Sequence, residues 1–204
     1  MKDPRHQKLA ALLVNYSIGV QPGEKIAIEG NSLSLPLLTE IYREVLKAGG
    51  LPSVICREGI FEEVLLKEGN DAQLLHYSEP HALVYETFDA RIAAVGAENT
   101  RSLSEIDPKR QQRRAEGRRN IMKTFMERSA AGDLRWVGTL YPTQAHAQDA
   151  DMSLSDFEDF VYGACFVDRD DPVAEWLKLS AMQQKLVDYL VGKKAVRIEG
   201  PNAE

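Results

Sequence analysis

The sequence predicts an α/β domain with a mostly parallel sheet flanked by helices in three layers. Three observations carry this. Short apolar runs alternate with longer segments of helical periodicity along almost the whole chain. Lys25–Arg57 reads as strand, helix, strand, the unit of a parallel sheet, because parallel neighbours need a crossover between them. Pro36, Pro108 and Pro172 sit where a first helical turn tolerates a missing N–H.

The elements follow in order. Leu9, Leu12, Leu13 and Tyr16 recur at helical spacing, which predicts a helix over residues 4–18, with Gly19 to end it. Lys25–Glu29 is a short apolar strand. Ser34 is the expected cap of a helix with Leu37, Leu38, Ile41, Tyr42 and Val45 on its apolar side, and Gly49-Gly50 stops it. Leu51–Arg57 is the next strand. Ile60–Lys67 and Asp71–Tyr77 read as two short helices broken at Gly69-Asn70. Ala82–Glu86 and Arg91–Ala97 are β-rich and read as strands. Asp107-Pro108 opens one long helix to about residue 131, and Leu134–Leu140 is a strand. Ser153 and Asp156 open a further helix in capping-box fashion. Asp171-Pro172 opens the last one, with Val173, Trp176, Leu177, Leu186, Tyr189 and Leu190 as its expected buried stripe. Lys193–Gly200 echoes Glu24–Gly30 and reads as a fresh strand, either a sheet edge or the start of a further domain.

Composition bounds the function. The 204 residues suffice for one large or two small domains, and 44% hydrophobic with 27% charged residues is a globular balance. No apolar run nears the roughly 18 residues of a membrane span. The N-terminal apolar run is interrupted by Asn15 and Tyr16 and reads as an amphipathic helix, not a signal peptide. Cys56 and Cys165 lack a CxxC partner and suit a reducing compartment. A net charge of −6 argues against general nucleic-acid affinity.

Local motifs for chemistry are absent. The acid-rich stretch Leu140–Trp176 invites a metal reading, but an EF-hand loop from Asp149 would need glycine and glutamate where Leu154 and Phe160 stand. His146 lacks the second histidine of a zinc helix. Glu158 and Asp159 diverge by about 100° on a helix and so do not share a site. His6, His76, His81 and His146 are scattered. The Gly30-Asn31-Ser32 loop leads into a helix N-terminus, where an anion can bind, yet no phosphate-loop glycine pattern accompanies it. Lys109–Arg119 carries six basic residues and one acid on a predicted helix. That helix is a solvated or interdomain face, a substrate-side cationic patch, or the polyanion contact of a stand-alone binding domain.

YPTQAHAQ, MSLSDFEDFVYGAC and DRDDPVAEW, preceded by LAALLVNYSIGVQPGEKIAIEG, resemble in order the aminopeptidase T family of metallo-aminopeptidases. The resemblance implies a cytoplasmic, homodimeric exopeptidase that removes N-terminal residues from peptides. It implies an α/β front domain at 1–192, with 193–204 leading to a catalytic domain that holds divalent metal (Zn, Co or Mg). None of the family's ligand motifs matches a position here, so the resemblance assigns no catalytic residue, no metal ligand and no cofactor to these residues. They would lie beyond Glu204, and this chain alone would be inactive. Tyr141, Thr143 and His146, just past a strand's C-terminal end, are the candidates for a substrate-side or interdomain contact. The stretch QAHAQ departs from the family's habit of a second proline and an aromatic there.

Overall fold

The computed structural model describes residues 3–197, 199 and 200. Its centre is a parallel sheet of β1 (Lys25–Gly30), β2 (Leu51–Cys56), β3 (Ala90–Val95) and β4 (Arg135–Leu140), in the order β2-β1-β3-β4. The chain runs outward from β1 to β2, then returns across β1 to β3. The sheet is therefore doubly wound, with its switch point between β1 and β3.

The strand period of two divides the side chains between two faces. On the first face Ile26, Ile28, Ala90, Ile92 and Ala94 join one core with α1 (Pro4–Ala11), its π-helical continuation Leu12–Ser17, and α2 (Leu35–Lys47). Tyr162 of α9 (Leu154–Ala164) and Val167 complete that core. On the second face Phe125 meets Trp136 of β4. The adjoining core of Tyr85, Ile121, Phe125 and Leu134 comes from α5 (Glu79–Thr87), α7 (Arg119–Ala131) and the start of β4. Helices on both sides of a parallel sheet make the expected three layers.

Most elements lie where the sequence places them, including α3 (Gly59–Glu68) and α4 (Asp71–Leu75). Four differ. Ala82–Glu86 is not a strand but the body of α5. Ala82 and Tyr85, three apart on α5, face one core with Tyr77 of the preceding loop, a spacing that the β-rich composition of a five-residue run conceals. The long helix after Asp107 is two, α6 (Pro108–Gly117) and α7. A Cβ on Gly117 would stand 2.7 Å from the Leu75 carbonyl carbon, so the end of α4 presses on the junction. Asn31, not Ser34, caps the α2 entry. The Asn31 side chain accepts from the Ser34 N–H at 3.3 Å, and the Ser34 hydroxyl accepts from the Asn31 N–H at 3.1 Å.

The fourth difference is α10 (Pro172–Leu190), whose expected buried stripe is mostly bare. Val173 and Trp176 pack on the core, and the Trp176 indole donates to the Cys165 carbonyl at 3.2 Å. Beyond them Leu177, Leu186, Tyr189 and Leu190 are exposed, Tyr189 at 69%. α10 has no buried residue. Of the expected strand Lys193–Gly200, Lys193–Arg197 form no strand and residue 198 lies outside the described residues. No helix is long and apolar enough to cross a membrane, among the described residues.

These burials predict contrasting stabilities. Ile92→Ala, at a fully buried position of a central strand, should cost about 3 kcal/mol in urea unfolding. Leu186→Ala on the bare side of α10 should stay within about 0.5 kcal/mol of the parent.

Candidate functional site

In a doubly wound sheet ligands approach the C-terminal strand ends at the switch point. Here β1 and β3 end at Gly30 and Val95. Gly30 is required by close approach: a Cβ there would meet the Ala94 carbonyl oxygen at 2.7 Å and Leu38 Cδ1 at 2.8 Å. Asn31 Nδ2 bridges the two strand ends by donating to the Gly96 carbonyl at 2.5 Å. A cleft of about 340 Å³ opens beside them, lined among others by Asn31, Arg57, Glu58 and Asn99. The loop's backbone donors are already engaged, since the Ser32 N–H donates to Glu58 at 2.6 Å. The anion reading of Gly30-Asn31-Ser32 therefore finds its helix start occupied from within.

Glu29 is the buried charge of this edge, only 3% exposed on β1. Arg91 of β3 grips it with Nε at 2.8 Å and Nη2 at 2.9 Å, and Arg57 adds Nη1 at 3.0 Å. Burial opposes the Glu29 carboxylate, but the two guanidinium groups override it and hold its pKa below the usual value. A bidentate arginine on a buried carboxylate is a strong charge-assisted pair. Tyr85 stacks against Arg91, its ring centroid 5.8 Å from the guanidinium carbon. This network had no sequence motif; its only signal was a glutamate inside an apolar strand.

The residues singled out from sequence have structural partners. Tyr141 donates its N–H to the Val95 carbonyl at 2.8 Å and packs against His6 at 5.7 Å between ring centroids. Thr143 caps α8 (Gln144–Asp149), a short helix in the stretch that also reads as a simple turn. Its hydroxyl donates to the Ala97 carbonyl at 2.7 Å, which uses its one proton. His146 Nδ1, 3.0 Å from the same oxygen, must therefore be the protonated nitrogen. The fold brings Thr143 and His146 together, while Tyr141 belongs with His6 and Tyr162.

Arg5 changes the reading of Glu158 and Asp159. Its Nη1 meets Asp159 at 2.6 Å and its Nη2 meets Glu158 at 3.1 Å, so one guanidinium fork spans both carboxylates and ties α9 to α1. Burial and these neighbours shape the adjoining pair, His6 Nε2 and the Tyr162 hydroxyl, 2.8 Å apart. Burial lowers the His6 pKa and raises that of Tyr162, so both stay neutral. Burial also raises the Cys165 thiol, while slight desolvation and the adjoining Glu58 carboxylate raise that of the exposed Cys56.

The basic segment of α6 is a clamp within the domain. Arg110 donates to the Leu66 and Gly69 carbonyls, Arg113 grips Asp71 at 2.6 and 2.7 Å, and Arg114 reaches the His76 carbonyl at 2.6 Å. Arg114 and Arg118 share Glu62. Four of the six cations, Arg110, Arg113, Arg114 and Arg118, are thus turned toward α3, α4 and the carbonyls at their ends.

The acids are likewise engaged. Asp149 accepts from Thr100, Asp156 closes the Ser153 capping box, and Asp171 caps α10. Among the described residues no three His, Cys, Asp or Glu side chains are placed to hold a metal ion. The residues present do not fit a catalytic metal.

The model of the thermophilic metalloprotease (M29) family matches residues 2–203. The chain belongs to that family. It is 24% identical over 210 residues to Aminopeptidase 2 of Geobacillus stearothermophilus, covering 92% of this chain and 48% of the relative. Among solved structures, wild-type AmpT from Thermus thermophilus superposes with a TM-score of 0.73 at 16% identity, over 92% of this chain and 48% of that one. The second likeness supports the fold. The chain spans about half the length of the relatives it matches.

The ion network predicts a pH effect. A carboxylate whose folded pKa is depressed stabilises above its unfolded pKa and loses that stabilisation as pH falls through the folded value. Unfolding free energy should decline below about pH 4.3. In Glu29→Gln that acid-limb slope should be shallower, though not flat, because Asp3, Glu44 and Asp71 are also depressed. Arg91→Gln should cost about 2 kcal/mol, less than a fully orphaned buried charge, because Arg57 remains.

Proposed function

We propose that this chain is the N-terminal α/β domain of a metal-dependent aminopeptidase that removes N-terminal residues from peptides, with the metal ligands and catalytic residues expected beyond Glu204. The family match over residues 2–203, set against 48% coverage of the relatives, is the observation that carries this reading. In this reading residues 1–192 are the front domain and 193–204 lead out of it. A divalent metal (Zn, Co or Mg) belongs to the rest of the enzyme, which is cytoplasmic and homodimeric. Peptides are its substrates.

Two surface features support a covered state. The bare apolar stripe of α10 ends beside Lys193, and Trp136 and Leu140 of edge strand β4 are 53% and 36% exposed. Apolar surface of this kind is typical of a domain or subunit contact. Tyr141, Thr143 and His146 follow β4 and stand at the border of that edge, where an interdomain or substrate-side contact would reach them.

These 204 residues alone should give no turnover of aminoacyl-anilides with Co²⁺, Zn²⁺ or Mg²⁺. Robust hydrolysis by the isolated chain would overturn the reading. So would a natural reading frame without acidic and histidine motifs after Glu204.

A further inference from the structure

A cavity of about 350 Å³ lies between the C-terminal end of β2, α3, the loop before α5 and the α6–α7 junction. Three guanidinium groups line it: Arg57, Arg114 and Arg118. Two carboxylates line it as well, Glu58 and Glu62. His81, Tyr77 and Ser78 supply the remaining polar wall, and Phe61 and Leu65 the apolar one.

The positive charges outnumber their partners. Glu29 is already satisfied by the bidentate grip of Arg91, so Arg57 is a second cation on a neutralised acid. Glu62 is split between Arg114 at 3.2 Å and Arg118 at 2.7 Å. Glu58 turns toward the Ser32 N–H at 2.6 Å and the Cys56 thiol at 3.5 Å. Arg118 Nε is buried and meets no acceptor among the described residues. A buried donor without a partner carries its full desolvation penalty, larger for a charged group, and such a group asks for an explanation.

The protonation of the wall agrees. Burial and then the positive field of Arg57 lower the His81 pKa, and Arg114 adds to that field. Burial pushes Tyr77 up to about 12, so its phenol keeps its proton and can donate.

We propose that this cavity binds a small oxyanion, a carboxylate or phosphate group, with the guanidinium groups of Arg118 and Arg57 as its principal contacts. The planar guanidinium fork matches both groups. The inference does not depend on the peptidase reading. Arg57, Glu58 and Gly59 line both this cavity and the switch-point cleft, so the two adjoin.

The test is a titration of the 204-residue chain at low chloride, followed by ¹H–¹⁵N spectra of the arginine Nε–Hε groups. Acetate, a short peptide with a free C-terminus, the same peptide amidated, and inorganic phosphate form the four arms. The Arg118 Hε signal should shift saturably with at least one oxyanion and not with the amidated peptide. The arm that binds tightest separates the carboxylate source from the phosphate source. Arg118→Gln and Arg57→Gln should each weaken binding about tenfold or more, the worth of one charge-assisted hydrogen bond. Arg57→Gln keeps the Glu29–Arg91 pair, so its fold survives the change. Lys109→Gln, an exposed cation of α6 away from the cavity, should leave affinity unchanged. The absence of saturable shifts in the parent chain, or unaltered affinity in both arginine variants, overturns the proposal.

Discussion

The burial of β1 on both faces is the constraint from which the rest of the fold follows. Every residue from Ile26 to Gly30 is buried, as a central strand of a covered parallel sheet requires. One of those residues is a glutamate. Its charge must be neutralised inside, and the parallel register does this: Ala93 stands opposite Glu29 and Arg91 opposite Ala27, so Arg91 is the diagonal neighbour on the same face. A slip of one residue would turn Glu29 toward the hydrocarbon packed over Ile26 and Ile28, away from any guanidinium. The ion pair thus penalises every register but one. Its net worth in stability is modest, because dehydrating both charges offsets much of the attraction.

Arginine serves the periphery by a different route. α6 has no buried residue, so hydrocarbon burial does not hold it. Its guanidinium groups instead bridge carbonyls and carboxylates at α3 and α4. A small satellite core of Leu66, Leu74 and Ile106 sits beneath. Such a layer responds to salt and charge more than the sheet does, because its attachments are partly solvated.

Much of this was legible in the sequence. The four strands, the crossover after β1 and the helix starts at Pro36, Pro108 and Pro172 follow from local chemistry: period, capping and the missing proline N–H. What was not legible depends on contacts distant in sequence. α5 was hidden because Ala82–Glu86 is too short for composition to decide, whereas the pairing of Ala82 with Tyr85 acquires meaning only once α7 covers it. The α6–α7 break depends on Leu75, more than forty residues away. The arginines of α6 looked solvated because their partners, Asp71, Glu62 and the Leu66, Gly69 and His76 carbonyls, are set by tertiary packing. Thr143 caps α8, which a Thr-x-x-His spacing does not announce.

α10 shows where a sequence pattern and a burial pattern part company. Its spacing of apolar residues is that of a helix with one side to hide, and the helix forms as that spacing directs. Burial is a property of two surfaces, and only the first turns meet the core, through Val173 and Trp176. The remaining side chains keep their helical alignment without a partner, Met182 at 61% and Leu186 at 59% exposed. A stripe kept apolar over three further turns works against solubility if it stays in water. A second surface packed over these side chains would remove them from water.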